Sequence, residues 1–420
     1  MAAPVLPSFA PHPTGDLTEA PRYTSALSSL TVLFFMMGFI TCLNDILIPF
    51  LKAIFGLSYT QANLINLCFF GAYFVMGVPA SKLVQRAGYK GGMLVGFLVA
   101  AVGCLLFYPA ASSRSYPLFL GALFVLATGV VLLQVSGNPY VAILGPARSA
   151  SARLSLTQAF NSLGTFVAPF VGSALILSHL PDLQTTSGAA IDVRAVQVPY
   201  LVIGGLLLLI SGLLTRLRLP RVEHPAEQAE HVGRRAWHYR HLVLGMVGIF
   251  AYVGGEVAIG SHIVNYLGLP EVAGLVPKVA GEKVAFYWGG AMVGRFLGAY
   301  LLSRFNPGRL LAGNAVGAVL LVLLSVSTTG AVAVWSLLAV GLMNSLMFAT
   351  IFTLAVAGLG RRTEEASGLL NVAIVGGAVV PLLFGAVADA SSLRWAFLLP
   401  LCCYAYIGWY GLVGSRAQTD

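Results

Sequence analysis

The sequence predicts an all-α polytopic membrane protein with twelve transmembrane helices arranged as two pseudo-symmetric six-helix bundles. Three observations carry this. First, 58% of the 420 residues are hydrophobic and only 9% are charged, where a soluble domain carries about 25% charged residues. Second, the apolar runs are continuous rather than alternating, which fits spanning helices and not an outer-membrane barrel. Third, one long charged segment between spans divides the chain into six plus six.

The spans are expected at residues 26–55, 60–84, 91–111, 116–145, 151–178 and 197–217, then 241–268, 281–303, 308–328, 331–359, 365–389 and 394–414. Each reaches the ~20 residues that cross a bilayer. Residues 1–24 are polar and Pro-rich and lack the apolar core of a signal peptide, so a disordered cytoplasmic tail is expected there. Residues 25–217 form the first six-helix bundle. Residues 218–240 hold Glu223, Glu227, Glu230, Arg234 and Arg235 with Pro220 and Pro225, and read as a cytoplasmic linker. Residues 241–415 form the second bundle, and 416–420 a short cytoplasmic tail.

Loop charge orients the chain. With the N-terminus inside, seventeen of the 24 Lys and Arg residues fall in cytoplasmic segments and six in outer ones, and Arg295 stays inside a span. Both termini are therefore expected on the cytoplasmic side of the membrane. The net charge of +9 is topology signal, and no nucleic-acid partner is expected. Cys42, Cys68, Cys104, Cys402 and Cys403 all lie in apolar runs without metal or disulfide spacing and read as packing residues. No metal cluster, nucleotide loop or paired nucleophile and base is visible, so neither an enzyme nor a cofactor is expected. The tails leave no room for the signalling domain of a sensor.

The halves resemble each other. Gly164 precedes Pro169 in span 5 with the same spacing as Gly376 precedes Pro381 in span 11. Ser155 and Ser367 lie equally far before those prolines. Phe55-Gly56-Leu57-Ser58 after span 1 matches Leu267-Gly268-Leu269-Pro270 after span 7, which aligns Asn44 with Glu256. The basic turn Arg86-Ala87-Gly88-Tyr89-Lys90 corresponds to the one from Arg304 to Arg309. A repeat of this kind marks a transporter with a midplane site between its halves.

Three charges lie deep within spans: Asp45, Glu256 and Arg295. A carboxylate at the bilayer centre costs at least ~2.5 kcal/mol, so it faces a wet cavity or a partner. Asp45 and Glu256 sit at nearly equivalent positions of the two halves, on opposite walls of a cavity between them. Each can take a proton, a cation or a sugar hydroxyl. The alternatives are a structural ion pair for Asp45 and a helix-end position for Glu256. Arg295 is expected to pair with a carboxylate or with helix carbonyls, a structural or gating role. Gln134 and Asn138 are four apart on one face of span 4, and Pro139 beside them frees a backbone carbonyl. Gln158 and Asn161 share a face of span 5, and Asn344 and Asn371 add polarity to spans 10 and 11. Neutral amides offer donors and acceptors together, which suits an uncharged polyhydroxylated ligand; interhelical glue is the alternative. Tyr252, Tyr266, Tyr287, Trp288 and Phe348 are candidates to stack on a pyranose or simply to pack. His262 and Asn265 lie toward the outer end of span 7.

Leu43-Asn44-Asp45-Ile46-Leu47-Ile48-Pro49, Asn138-Pro139-Tyr140-Val141 and Thr157-Gln158-Ala159-Phe160-Asn161-Ser162-Leu163-Gly164 together resemble the fucose/galactose/glucose–cation symporter family of the major facilitator superfamily, most closely its bacterial glucose/galactose branch. The resemblance runs from about Leu30 to Val413. It implies the major facilitator fold, uptake by alternating access, and a bacterial inner-membrane location. The position of Asp45 is a proton-coupling aspartate in the related fucose–proton symporters. The position of Gln134 is there a glutamate that touches sugar and proton, while Glu256 stands where that branch has an amide. The acid and the amide have thus exchanged sides, and Glu256 is expected to accept from the hexose, with Asn44, Gln134, Asn138, Gln158, Asn161, Asn344 and Asn371 as further sugar-binding candidates. Arg86 and Lys90 keep the basic part of the superfamily's inter-span signature, but Gln85 stands where its Asp would be.

The resulting expectation is a monomeric secondary active importer of glucose and/or galactose in a lipid bilayer. Asp45 and Glu256 are its coupling residues and H⁺ or Na⁺ its coupling ion. A fucose-type proton symporter and an uncoupled hexose facilitator are the nearest alternatives, and a drug or metabolite exporter on the same fold a remote one.

Overall fold

The computed structural model describes residues 26–41, 55, 59–175, 194–217, 219–220 and 235–416. Asn44 and Asp45, the outer part of span 1, most of the linker and both tails lie outside the described residues. Every one of the twelve expected spans coincides, at least in part, with helix, and no strand occurs among the described residues.

The first half comprises α1 (Ala26–Thr41), α2 (Tyr59–Ser112), α3 (Tyr116–Ile143), α4 (Ala150–Leu175) and α5 (Arg194–Arg216). The second comprises α6 (Arg240–Gly268), α7 (Pro277–Arg304), α8 (Pro307–Ser327), α9 (Gly330–Asn344), α10 (Met347–Ala355), α11 (Thr363–Val372), α12 (Gly376–Ala390), α13 (Leu393–Ala396) and α14 (Leu398–Trp409). A straight helix of 54 residues would be ~80 Å long, far beyond the ~30 Å hydrocarbon core. Helix α2 is therefore two spans. They join at Gly88, whose φ of 71° lies where only glycine is unstrained.

Spans 10 and 11 are each interrupted. α9 ends at Asn344 and α10 resumes at Met347, while a short 3₁₀ turn, Ala373–Val375, separates α11 from α12. Interruptions free backbone carbonyls inside the membrane, where they persist only against protein or a wet cavity.

Glycines set the closest helix crossings. A Cβ on Gly164 of α4 would collide with the Phe35 carbonyl of α1, and one on Gly38 of α1 with the Asn161 carbonyl of α4. In the second half a Cβ on Gly376 of α12 would collide with the Phe250 carbonyl of α6. Span 5 thus crosses span 1 as span 11 crosses span 7, at the two glycines that the internal repeat pairs.

Two seams join the halves: α4 against α7, and α2 against α11, with α3 against α11 and α4 against α10 beside them. One hydrogen bond follows directly from a proline. Pro139 lacks the N–H that would engage the Val135 carbonyl, and Ser367 of the other half donates to that carbonyl at 3.0 Å. Ser151 and Thr353 pair across the seam at 2.5 Å. The Ser155 hydroxyl donates to the Arg295 carbonyl at 3.0 Å.

Gly164→Leu or Gly376→Leu is expected to force its crossing apart at about 1–3 kcal/mol, and Gly205→Leu, where nothing stands within 4 Å, to change stability by under ~0.5 kcal/mol. Thermal melting of the purified protein in detergent checks this. Equal melting of all three variants would rule out the tight crossings.

Candidate functional site

The site is a chain of buried and half-buried polar side chains running from one half to the other. On the first wall, Asn138 of α3 is fully buried. Its Oδ1 accepts from Gln158 Nε2 of α4 at 3.2 Å, and its Nδ2 has no hydrogen-bond partner. One turn beyond Gln158, the Ser162 hydroxyl donates to the Gln158 carbonyl at 3.1 Å.

On the second wall, Glu256 sits in the middle of α6 and is buried, so it is not a helix-end residue. Arg295 Nη2 of α7 stands 3.8 Å from Glu256 Oε1, an oxygen that takes no hydrogen bond. The Tyr287 hydroxyl donates to the Glu256 carbonyl at 3.1 Å and accepts from Asn344 Nδ2 at 2.8 Å. Asn344 Oδ1 and the Tyr404 hydroxyl are buried without a hydrogen-bond partner. Tyr252 packs its ring against Phe348, with centroids 6.3 Å apart.

Arg295 joins the walls. Its Nη1 donates to the Ser162 hydroxyl across the seam, while Nε points at the Ser345 carbonyl at 3.4 Å, in the gap between α9 and α10. One guanidinium thus holds a carboxylate of its own half, a hydroxyl of the other half and a carbonyl of a broken helix. Its rigid fork of five donors makes this possible; a lysine ammonium would not reach all three.

The structure brings Asn138, Gln158, Glu256, Asn344 and Arg295 into this connected path. Three other amides have separate partners. Gln134 Nε2 donates to the Tyr73 hydroxyl of α2 at 3.0 Å. Asn161 Nδ2 donates to the Phe34 carbonyl of α1 at 3.0 Å. Asn371 Nδ2 returns to Ser367 of its own helix at 2.9 Å, leaving Oδ1 without a hydrogen bond. Lys90 donates to the carbonyls of Thr215 and Leu217, both at 2.8 Å. It thereby closes the C-terminal end of α5 within its own half, while Arg86 is exposed. Toward the far end of α6, Tyr266 packs edge-on against Phe397, His262 lies on Phe384 with centroids 4.4 Å apart, and Asn265 is exposed. Trp288 is 43% exposed.

The sequence reading did not single out Tyr73 or Tyr404. Their signal was available but weak, since a buried tyrosine hydroxyl needs a partner and both lie within apolar runs. Ser162 stood inside the motif around Asn161 without a role of its own.

Chemically, the path is neutral overall, because the one carboxylate is matched by the one guanidinium. It holds an unmatched donor on the first wall, and on the second unmatched acceptors at Glu256 and Asn344 beside the unmatched Tyr252 and Tyr404 hydroxyls. Removing the cation alone leaves a buried charge uncompensated, which costs roughly 3–5 kcal/mol. Arg295→Ala is therefore expected to lower the melting temperature sharply, and the double variant Glu256→Gln/Arg295→Ala to recover most of the loss. Additive losses in that double-mutant cycle would rule out the pairing.

Comparison with known proteins places the chain in a group. The model of the Major Facilitator Superfamily matches residues 29–378. The chain is similar to the "Glucose/galactose transporter" of Brucella abortus biovar 1 (strain 9-941), 54% identical over 404 residues, 96% of this chain and 97% of the relative. The "L-fucose-proton symporter" of Escherichia coli (strain K12) is 33% identical, over 96% of each chain. Among solved structures, that of FucP in the outward conformation superposes with a TM-score of 0.85 and 33% identity, covering 94% of this chain and 100% of that one. The proton:xylose symporter XylE, at 14% identity and a TM-score of 0.73 over 95% and 97% of the two chains, shares the fold.

Proposed function

The chain belongs to the Major Facilitator Superfamily, a family of multi-pass membrane transporters, and we propose that it is a secondary active importer of glucose and galactose. The observation that carries this reading is the set of buried polar atoms without hydrogen-bond partners on the two halves. Asn138 Nδ2 lies on one, and Glu256 Oε1 and Asn344 Oδ1 on the other. An unpaired buried polar group costs about 1–3 kcal/mol, so this set describes a ligand with hydroxyls to give and take. A carboxylated or phosphorylated ligand would need cationic groups left over after Glu256 is matched. The names of the relatives point to the same substrate class. The aromatic rings of Tyr252 and Phe348 beside Glu256 suit the apolar face of a pyranose.

In this reading Asp45 carries the coupling ion, and Glu256 receives a sugar hydroxyl and shares in coupling. Asn44, Gln134, Asn138, Gln158, Asn161, Asn344 and Asn371 contribute to the sugar site or to its support. A proton is favoured as the coupling ion, because a relative 33% identical to the chain is named a proton symporter. The bundles are residues 25–217 and 241–415, joined by the 218–240 linker. Both termini are cytoplasmic, and the protein works as a monomer in the bacterial inner membrane. The hydrogen bonds joining Ser151 to Thr353 and Ser155 to Arg295 then lie on the cytoplasmic side. The described arrangement is accordingly the one closed to the cytoplasm, and transport requires these contacts to part.

Glu256→Gln replaces a charged acceptor by a neutral one. The difference between a hydrogen bond to a charged group and one to a neutral group is about 1–1.5 kcal/mol, so the half-saturating glucose concentration in counterflow is expected to rise roughly 5- to 13-fold. An unchanged value would exclude Glu256 from the sugar site. Asp45→Asn is expected to keep counterflow and lose uphill uptake in proteoliposomes under an imposed H⁺ or Na⁺ gradient. Persistent accumulation would sink the coupling assignment. Galactose should compete with labelled glucose, and an organic cation should not.

A further inference from the structure

The two seams between the halves differ in charge at the end that carries the basic turns. In one, α2, which carries the turn at residues 86–90, packs against α11. In the other, the end of α7 faces α4 and the turn before it. The register that pairs Ser155 with Ser367 makes the turns before α4 and α11 equivalent. The first seam supplies its own anions. Arg362 pairs with Glu365 at 3.5 Å. Glu364 stands at the Tyr89 hydroxyl of the other half, and burial together with this carboxylate pushes that hydroxyl well above the usual tyrosine range.

In the second seam the equivalents of Glu364 and Glu365 are Ala152 and Arg153. Among the described residues no acid replaces them, and a cavity of about 460 Å³ opens there. Pro146, Arg148 and Ser149 line it from the first half, and Ser303, Arg304 and Phe305 from the second. Both arginines are exposed, and the Arg304 guanidinium lies over the Tyr300 ring at 5.7 Å. Behind them Arg153 spends its donors on the carbonyls of Val141, Ala142 and Pro146 and on the Ser149 hydroxyl, with no carboxylate among these partners. Basic loops are general at a cytoplasmic end. This seam is distinguished by two arginines from opposite halves sharing one cavity that no acid of the described residues lines.

The geometry points to an oxyanion site, in which a phosphate group held between Arg148 and Arg304 supplies the missing counter-charge and ties the halves together at this end. Guanidinium forks match phosphate oxygens in paired hydrogen bonds. Both arginines are drawn to one anion only while the seam is closed, so the anion favours the closed seam and resists its opening. Free phosphate and the phosphodiester of an anionic lipid share this chemistry. The inference is independent of the sugar reading, because its readout is stability rather than transport.

The test is thermal melting of the full chain in an uncharged detergent, in sodium phosphate and in sodium chloride of equal ionic strength. Nanodiscs of phosphatidylcholine with and without phosphatidylglycerol form the second arm. A rise of about 2–5 °C at saturating anion is expected, and its loss in Arg148→Ala/Arg304→Ala. A rise with phosphate in detergent assigns free phosphate, and one confined to phosphatidylglycerol discs assigns the lipid headgroup. Arg148→Glu installs the missing acid opposite Arg304. It is expected to melt at or above the parent protein and to ignore both anions. No rise in either arm, or a rise that the double alanine variant retains, overturns the site.

Discussion

A carboxylate buried inside a membrane protein must be matched, and the match made by Glu256 and Arg295 organises the centre of this molecule. Arg295 Nη2 lies 3.8 Å from Glu256 Oε1, close enough to compensate the charge and too far to hydrogen-bond it. The guanidinium has donors to spare, and it uses them on Ser162 of the opposite half and Ser345 at a helix break. An interaction required by desolvation within one half therefore also spans the two. In the proposed transport cycle, anything that changes the charge or partners of Glu256 is felt by Arg295, and through it by the contact with Ser162.

The surrounding scaffold makes this reach possible. Missing side chains at Gly38, Gly164 and Gly376 bring α1 onto α4 and α6 onto α12 at backbone contact. Small residues take this part in membranes because lipid is as apolar as leucine, so packing and hydrogen bonds decide association. The seams between halves combine one more glycine crossing, Gly77 of α2 against Gly368 of α11, with apolar packing such as Phe160 on Phe296 and with separable polar contacts. Serine hydroxyls at positions 155 and 367 each donate to a carbonyl of the other half. Such contacts suit two bodies that must part and meet again.

Much of this was legible in the chain. Long apolar runs located the spans because every backbone polar group in hydrocarbon needs a partner and helices supply it internally. The paired Gly-to-Pro spacing around residues 164 and 376 returned as equivalent crossings, since a glycine kept at a fixed place in a helix marks close approach. Pro139 announced a freed carbonyl at Val135. Other features were not legible. Gln134 and Asn138 are one turn apart, yet one bonds to α2 and the other to α4, because each amide takes the nearest unmatched group on whichever helix faces it. Lys90, expected in a structural or gating role, holds the end of α5, and that partner was set by the position of a helix end more than a hundred residues away.

The sequence by itself determined the membrane-spanning character, the division into two related halves and the place of Glu256 and Arg295 inside spans, because burial costs depend on residue type and run length. Tertiary structure alone decided which charges meet. Glu256 and Arg295 are on neighbouring helices that pack together, and Ser162 comes from the other half of the chain. Pairing depends on distance and on the direction of a side chain, and neither quantity is written in the order of residues.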